Sequence, residues 1–487
     1  MTTIVWFRED LRLEDHSALV HAMKVGLPVI GLYLFDPHAW LKHDTAACRI
    51  NFNLRNLSCL QRELRKKNIP LLLLEVKHSD DQLNIFEVLA NHTSLLCFNN
   101  RHEINEQRRD ASIEAIWLAN GKRIARFIDH VLLSPGTVLT KAGQAFSVFT
   151  PYKNAFIRTV IEQGLSLQPL KSFAKQAPFE LPIALTKALT RVCRQHDSVP
   201  LSWPGIHATV PETYWPGGEA EAQLRLSNFI KTKITAYQKN RDYPSLAGTS
   251  QLSPYLAAGV LSPRQCLYAA RCANDGKLVG GHEGIACWIN ELLWREFYQH
   301  VLWAFPRVSM HQPFKLSTLN LAWNNNEPLF SAWCEGRTGL PLIDAAMRQL
   351  QQTGWMHNRL RMVVAMFLTK HCFIDWRWGE RFFMQHLIDG DLAANNGGWQ
   401  WSASTGTDAV PYFRIFNPVR QSQRFDPEGH FIRQYCPELA SLDNKWIHTP
   451  WLCDQPGQSH YPLPIVDLVK AKAHALAAFK ALNAAEA

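Results

Sequence analysis

Four short, mostly apolar runs separated by stretches of helical length fill the start of the chain. The runs at 3–7, 28–35, 70–76 and 95–98 are too short for core helices, and their apolar character does not alternate, so each reads as a strand covered on both faces. Between the second and third, Asp44 and Thr45 offer a helix start, and periodicity holds to Asn68, where Ile69-Pro70 ends it. Such alternation dictates a doubly wound parallel α/β layer, with ligands beyond the C-terminal ends of its strands. No G-x-G-x-x-G follows the first strand, so the usual dinucleotide fingerprint is absent.

A chain of 487 residues exceeds one ordinary core, and its pattern divides it. Residues 1–133 form the α/β domain. Residues 134–218 lack clear periodicity and carry Pro135, Pro151, Pro169, Pro178, Pro182 and Pro200, which marks a connector. Residues 219–487 are helical in pattern: Leu226, Phe229, Ile230, Ile234 and Tyr237 make one stripe before Asp242-Tyr243-Pro244 breaks it, and 466–485 is an Ala- and Lys-rich helix. Hydrophobic residues at 47% and charged residues at 19% exclude a disordered chain. A net charge of +9 favours an anionic partner, nucleic acid included. Apolar runs such as 363–368 are far short of a membrane span, and Arg8, Glu9 and Asp10 interrupt any N-terminal leader. The 11 cysteines contain no C-x-x-C pair, which points away from a disulfide framework or zinc cluster and towards a reducing cytoplasm, with no metal expected.

Chemistry concentrates in the helical part. Gly248 to Pro254 sets Thr249, Ser250 and Ser253 before a helix, with Ser253 expected as N-cap and Pro254 as its first residue, an arrangement that suits phosphate oxygens and also suits plain capping. Trp288, Glu291, Arg295 and Tyr298 share a helix face, which serves equally as a pocket floor or as an i,i+4 ion pair beside core aromatics. The stretch from Gly354 to Met362, then Asp389-Gly390-Asp391-Leu392-Ala393-Ala394-Asn395-Asn396-Gly397-Gly398-Trp399-Gln400-Trp401, packs carboxylates, amides and glycines far more densely than a structural connection requires. That density favours close approach to a heterocycle.

Together these segments resemble the flavin-binding domain of class I cyclobutane pyrimidine dimer photolyases, over nearly all of residues 218–464. The start, Val5-Trp6-Phe7-Arg8 with Asp10-Leu11-Arg12, resembles the family's antenna domain. The resemblance implies FAD bound by Tyr237, Thr249, Ser250, Leu252 and Ser253 around its phosphates and by Trp288 and Asn358 beside it. Arg361 and Asp389 would pair under the flavin, Asp391 would meet its edge, and Asn395 would face the nitrogen whose protonation separates its radical and reduced states. Trp294 and Trp401 would stack on a dimer flipped out of DNA, Glu291, Asn358 and Met362 would touch its bases, and Arg241, Arg359 and Arg414 would hold lesion or backbone. Trp399, Trp376 and Trp323 align with the family's electron-hopping chain. His43, Asn105 and Glu106 match positions that hold 5,10-methenyltetrahydrofolate as antenna, although Met310 replaces a Lys found there in relatives and Gln251 replaces an Arg near the FAD phosphates. The implied activity is light-driven dimer splitting by a monomer in the cytoplasm, bound to damaged DNA at the nucleoid. A cryptochrome photoreceptor is the alternative; the retained Trp294 speaks against it. A six-four photolyase needs a histidine pair where Asn358 and Met362 stand.

Overall fold

The computed structural model describes residues 2–78, 81–453 and 461–486, so residues 454–460 of the flavin-domain resemblance lie outside the described residues. Six strands build one sheet: β1 Thr3–Phe7, β2 Val29–Phe35, β3 Leu71–Glu75, β4 Leu95–Asn99, β5 Arg123–Phe127 and β6 Arg194–His196, in the order β5-β4-β1-β2-β3-β6. All pairs are parallel except β3 with β6. The four apolar runs are the four central strands because each face of the sheet is covered. Ile4 and Trp6 join Phe86, Phe98 and Trp117 on one side, while Val5 and Phe7 join Leu19, Phe52 and Leu60 on the other. The two strands absent from the sequence reading are edges: β5 spells RIARF, with its arginines in solvent, and β6 is three residues contributed by the 134–218 segment. That segment also supplies helix Ile183–Leu189, packed on helix Asp81–His92, and helix Phe149–Glu162, packed on the long helix Glu283–Ala304.

Strand order turns at β1, which has β2 on one side and β4 on the other, so the crevice of the doubly wound sheet opens after Phe7 and Asn99. The helical part closes over this end. Its long helix adds Trp288, Leu293 and Phe297 to the same apolar cluster as Val5 and Phe7, so one core crosses from layer to bundle. Polar ties fix the seam: the Arg12 guanidinium donates to the Gly259 carbonyl at 2.9 Å, Arg264 grips Asp15 and Asp129, and Glu219 accepts the Leu13 amide at 2.8 Å. A second core, centred on Trp333, Met347, Leu360, Trp376 and Trp399, belongs to the helices alone. Its main walls are helices Pro341–Thr353, Asn358–Met366, Trp376–His386 and Leu392–Ala403. The C-terminal helix runs Leu468–Glu486.

Candidate flavin and antenna cavities

An interior helix is normally covered all round, yet Leu392–Ala403 leaves one stripe bare. Ala394 and Gly398 are exposed while Asn395, Asn396, Trp399, Ser402 and Ala403 are buried. A Cβ placed on Gly398 would meet no described atom within 4 Å. Asp391, Ala394, Gly398 and Trp401 follow one another at helical spacing and so share that face. Asp391 caps the helix, accepting the Ala394 amide at 2.9 Å and Gln299 Nε2 at 3.0 Å. Opposing helix Asn358–Met366 presents the exposed Asn358, with Arg361 and Met362 half-buried one turn on. Arg361 is locked by both Asp389 oxygens, at 3.0 and 2.8 Å, and by the Met356 carbonyl at 2.8 Å. Asn395 donates its amide to the Glu380 carbonyl at 3.0 Å, and Asn396 donates to the Glu380 carboxylate at 2.7 Å, so neither amide is free to turn. Gly397 is required by close approach: a Cβ there would lie 2.3 Å from the Tyr298 ring. The Asp/Asn/Gly density of the sequence thus resolves into caps, clamps and clearances beside one bare helix face.

The rim corrects one expectation. Glu291 pairs with Arg241, Nη1 to Oε1, and Arg295 instead donates to the His130 carbonyl. Arg295 sits one turn further along, over the interdomain seam, whereas Arg241 reaches Glu291 from the end of short helix Tyr237–Asn240. Arg359 pairs with Asp242 at 2.9 Å and lies over the Phe425 ring. Trp294 is half-buried, its ring stacked on Phe149 with centroids 3.8 Å apart and 11° between planes. Phe149 comes from the 134–218 segment, where no sequence signal marked it. Trp401 is half-buried and Arg414 exposed. Tyr237 and Trp288 are both buried against the Phe229 ring, and burial pushes the Tyr237 phenol well above its ordinary pKa.

A second correction concerns the hydroxyl segment. Leu252 is the N-cap and Ser253 already lies inside a helix of only five residues, Ser253–Ala257, so Ser253 caps nothing. Its oxygen accepts Trp355 Nε1 at 3.1 Å instead. Thr249 and Ser250 stay half-buried, and Gln251 takes a left-handed backbone at φ 51°. The tryptophans are dispersed. Trp399 packs on Trp333 and Phe383, Trp376 lies under the Arg377 guanidinium, and Trp323 leans on Phe373 at the edge of the core.

Against the switch point of the sheet lies a cavity of about 510 Å³. His43, Asn105, Glu106 and Met310 all line it, as do Glu9, just after β1, and Arg101, just after β4. Position at strand ends is the signal that finds these last two. Arg101 holds Glu9 at 2.8 Å and Glu103 at 2.7 Å. Burial pushes Glu103 upward, but Arg101 overrides it and holds the carboxyl at about 2. Glu106 has no such partner: burial first, then the Glu103 charge, raise it to about 7. Burial, then Lys42, lower the His43 imidazole. The floor is Glu380, Gly390 and Leu392, the reverse side of the loop that clamps Arg361 and caps the bare-faced helix. Among the described residues no helix is long and apolar enough to cross a membrane.

Comparison with known proteins agrees with this layout. Residues 3–171 match the family model described as DNA photolyase, and residues 288–481 match that described as FAD binding domain of DNA photolyase. A deoxyribodipyrimidine photo-lyase of Vibrio cholerae is 43% identical, covering 95% of this chain and 96% of the relative. A class III photolyase from Agrobacterium tumefaciens superimposes with a TM-score of 0.83 at 32% identity, covering 99% and 98% of the two chains. A cryptochrome from Synechocystis superimposes with a TM-score of 0.84 at 27% identity, covering 98% of each.

Proposed function

The chain belongs to the DNA photolyase family, and from that premise we propose that it repairs cyclobutane pyrimidine dimers in DNA with light, using FAD held in the bare-faced slot. The observation that carries this reading is the helix face shared by Asp391, Ala394, Gly398 and Trp401, left open although the rest of that helix is buried. Identity of 43% to a photo-lyase against 27% to a cryptochrome favours repair over signalling alone.

Bound FAD, in its reduced anionic form, supplies the photoexcited electron that the dimer receives and returns. Everything else falls to the chain. Asp389 and Arg361 form a charge-balanced clamp at the slot, Asp391 offers a carboxylate at its edge, and Asn395 is held at a fixed angle by Glu380. Thr249, Ser250, Leu252, Ser253, Tyr237 and Trp288 surround the phosphate and adenine side, and the exposed Asn358 lies beside the flavin. Trp294, braced by Phe149, and Trp401 receive a flipped dimer, whose poor stacking lowers the cost of extrusion to a few kcal/mol. Glu291 hydrogen-bonds a dimer carbonyl while Arg241 balances its charge, and Asn358 and Met362 touch the bases. Arg359 and Arg414 take phosphates. Trp399, Trp376 and Trp323 carry electrons inward when the flavin is oxidised. In the antenna cavity, His43, Asn105 and Glu106 surround 5,10-methenyltetrahydrofolate, and a Glu106 carboxyl titrating near 7 can donate to or accept from a pterin ring. The protein works as a cytoplasmic monomer on DNA.

The test is chromatography of a dimer-containing oligothymidylate after incubation with dithionite-reduced protein, in blue light and in darkness. Intact thymines form only in light if the reading holds. No conversion by flavin-loaded protein rejects repair and leaves the photoreceptor reading.

A further inference from the structure

We infer that Asp408 is a positioning residue for the flipped dimer, fixing through Phe149 the gap between Trp294 and Trp401; this rests on the repair reading above. Trp294 stands on helix Glu283–Ala304 and Trp401 on helix Leu392–Ala403, so their separation depends on what ties the two helices together. Phe149 covers one face of the Trp294 indole, with centroids 3.8 Å apart and 11° between planes, which leaves only the other face for a base. Phe297 meets the same indole edge-on at 5.8 Å and Tyr298 lies tilted against it at 5.7 Å. Phe149 is buried, yet it belongs to the 134–218 segment rather than to either helix.

What holds Phe149 in place comes from the other wall. Phe149 opens helix Phe149–Glu162, whose N-cap, Val148, has no side-chain oxygen and whose first turn holds no acid. Asp408, 259 residues further on, fills both roles: its Oδ2 accepts the Phe149 amide at 3.1 Å, and its carboxylate meets the positive end of the helix dipole. The Asp408 amide donates to the Ser147 carbonyl at 3.1 Å, and the Thr407 hydroxyl donates to the same oxygen at 2.5 Å. Asp408 has a left-handed backbone at φ 44°, which a residue with a side chain keeps only where its surroundings impose it. Its loop leaves the end of the Trp401 helix and returns to it, because the Val410 amide donates to the Trp401 carbonyl at 3.3 Å. A closed path therefore runs from Trp401 through Asp408 and Phe149 to Trp294.

The path gives the connector a part in recognition. A flipped dimer gains stacking from both tryptophans only where the gap between them fits it. If Phe149 slides away, Trp294 turns and one of the two stacking contacts is lost, while phosphate contacts at Arg359 and Arg414 are untouched. Asp408 therefore acts on the preference for dimer over intact DNA and not on affinity for DNA as such.

The experiment measures dissociation constants in darkness, with FAD-loaded protein, for a dimer-containing oligothymidylate and for the same oligonucleotide intact. Wild type is compared with Asp408→Gly, Asp408→Asn and Phe149→Leu. Glycine adopts the left-handed backbone freely and removes the acceptor; asparagine also tolerates that backbone and keeps a side-chain oxygen. Both lack the charge, so the difference between them reads the hydrogen bond. Expected is a loss of at least about tenfold in preference for dimer DNA in Asp408→Gly and in Phe149→Leu, with recovery in Asp408→Asn to within about threefold of wild type. Wild-type preference in Asp408→Gly or in Phe149→Leu, or an equal loss in Asp408→Asn and Asp408→Gly, overturns the inference. If Asp408→Gly does not melt cooperatively, Asp408→Ala takes its place and the same outcomes apply. A wild-type chain that binds dimer and intact DNA alike overturns the repair reading and this inference with it.

Discussion

The two cavities lie back to back on the 389–392 loop yet are built on opposite terms. The antenna cavity is a ring of charges that satisfy one another: Arg101 between Glu9 and Glu103, Arg49 on Glu9, and Glu106 left over. The flavin slot is shaped by what is missing, a stripe of Ala394 and Gly398 between clamps that already have their partners. Substitutions that cost stability in one should therefore cost only affinity in the other.

Arg101→Met is the severest break. It removes a buried cation from two carboxylates; Glu9 keeps Arg49 but Glu103 is left uncompensated, and breaking such a pair costs about 3–5 kcal/mol. Calorimetry should show the loss, and the loss should shrink as pH falls, because Glu103 without Arg101 is no longer held low and takes up a proton more readily. An unchanged transition would mean the ring is already solvated. Gly398→Leu attacks the other side of the comparison. The helix gains a better former at an open site, so the empty protein should be as stable as before or more so by about 0.5–1 kcal/mol. Its side chain nevertheless fills the slot, and flavin retained through purification should fall by about 100-fold in affinity, or about 2.7 kcal/mol. Flavin absorbance equal to wild type would place the cofactor elsewhere.

How legible these sites were follows from where each signal lies in the chain. β1 to β4 stood out because burial on both faces writes an uninterrupted apolar run, while β5 and β6, as edges with arginines, write none. The 389–401 stretch announced the slot because every residue of the wall is contiguous. Phe149 behind Trp294 and Trp333 beside Trp399 are ordinary core aromatics to a sequence reader, since their partners lie 145 and 66 positions away. Spacing left an i,i+4 pair between Glu291 and Arg295 open, since both sides were present, but a cation from another helix takes Glu291 instead. Ser253 failed as a cap for a similar reason, because Trp355 claims its oxygen.

The gentlest test concerns the one carboxyl that the charge ring leaves over. Glu106 titrates near 7 when folded and near 4.5 in an unstructured chain. Between those values the folded chain binds more protons than the unfolded one, so this group makes stability fall as pH rises from about 4.5 to about 7, with no further loss above. Glu106→Gln cannot ionise and should flatten that part of the profile, leaving the variant more stable than wild type at pH 8 and little changed at pH 4. Denaturant titrations at the two pH values, with no antenna ligand present, give the answer. Equal stabilities at both would place Glu106 in solvent and make the antenna cavity, like the flavin slot, a matter of shape.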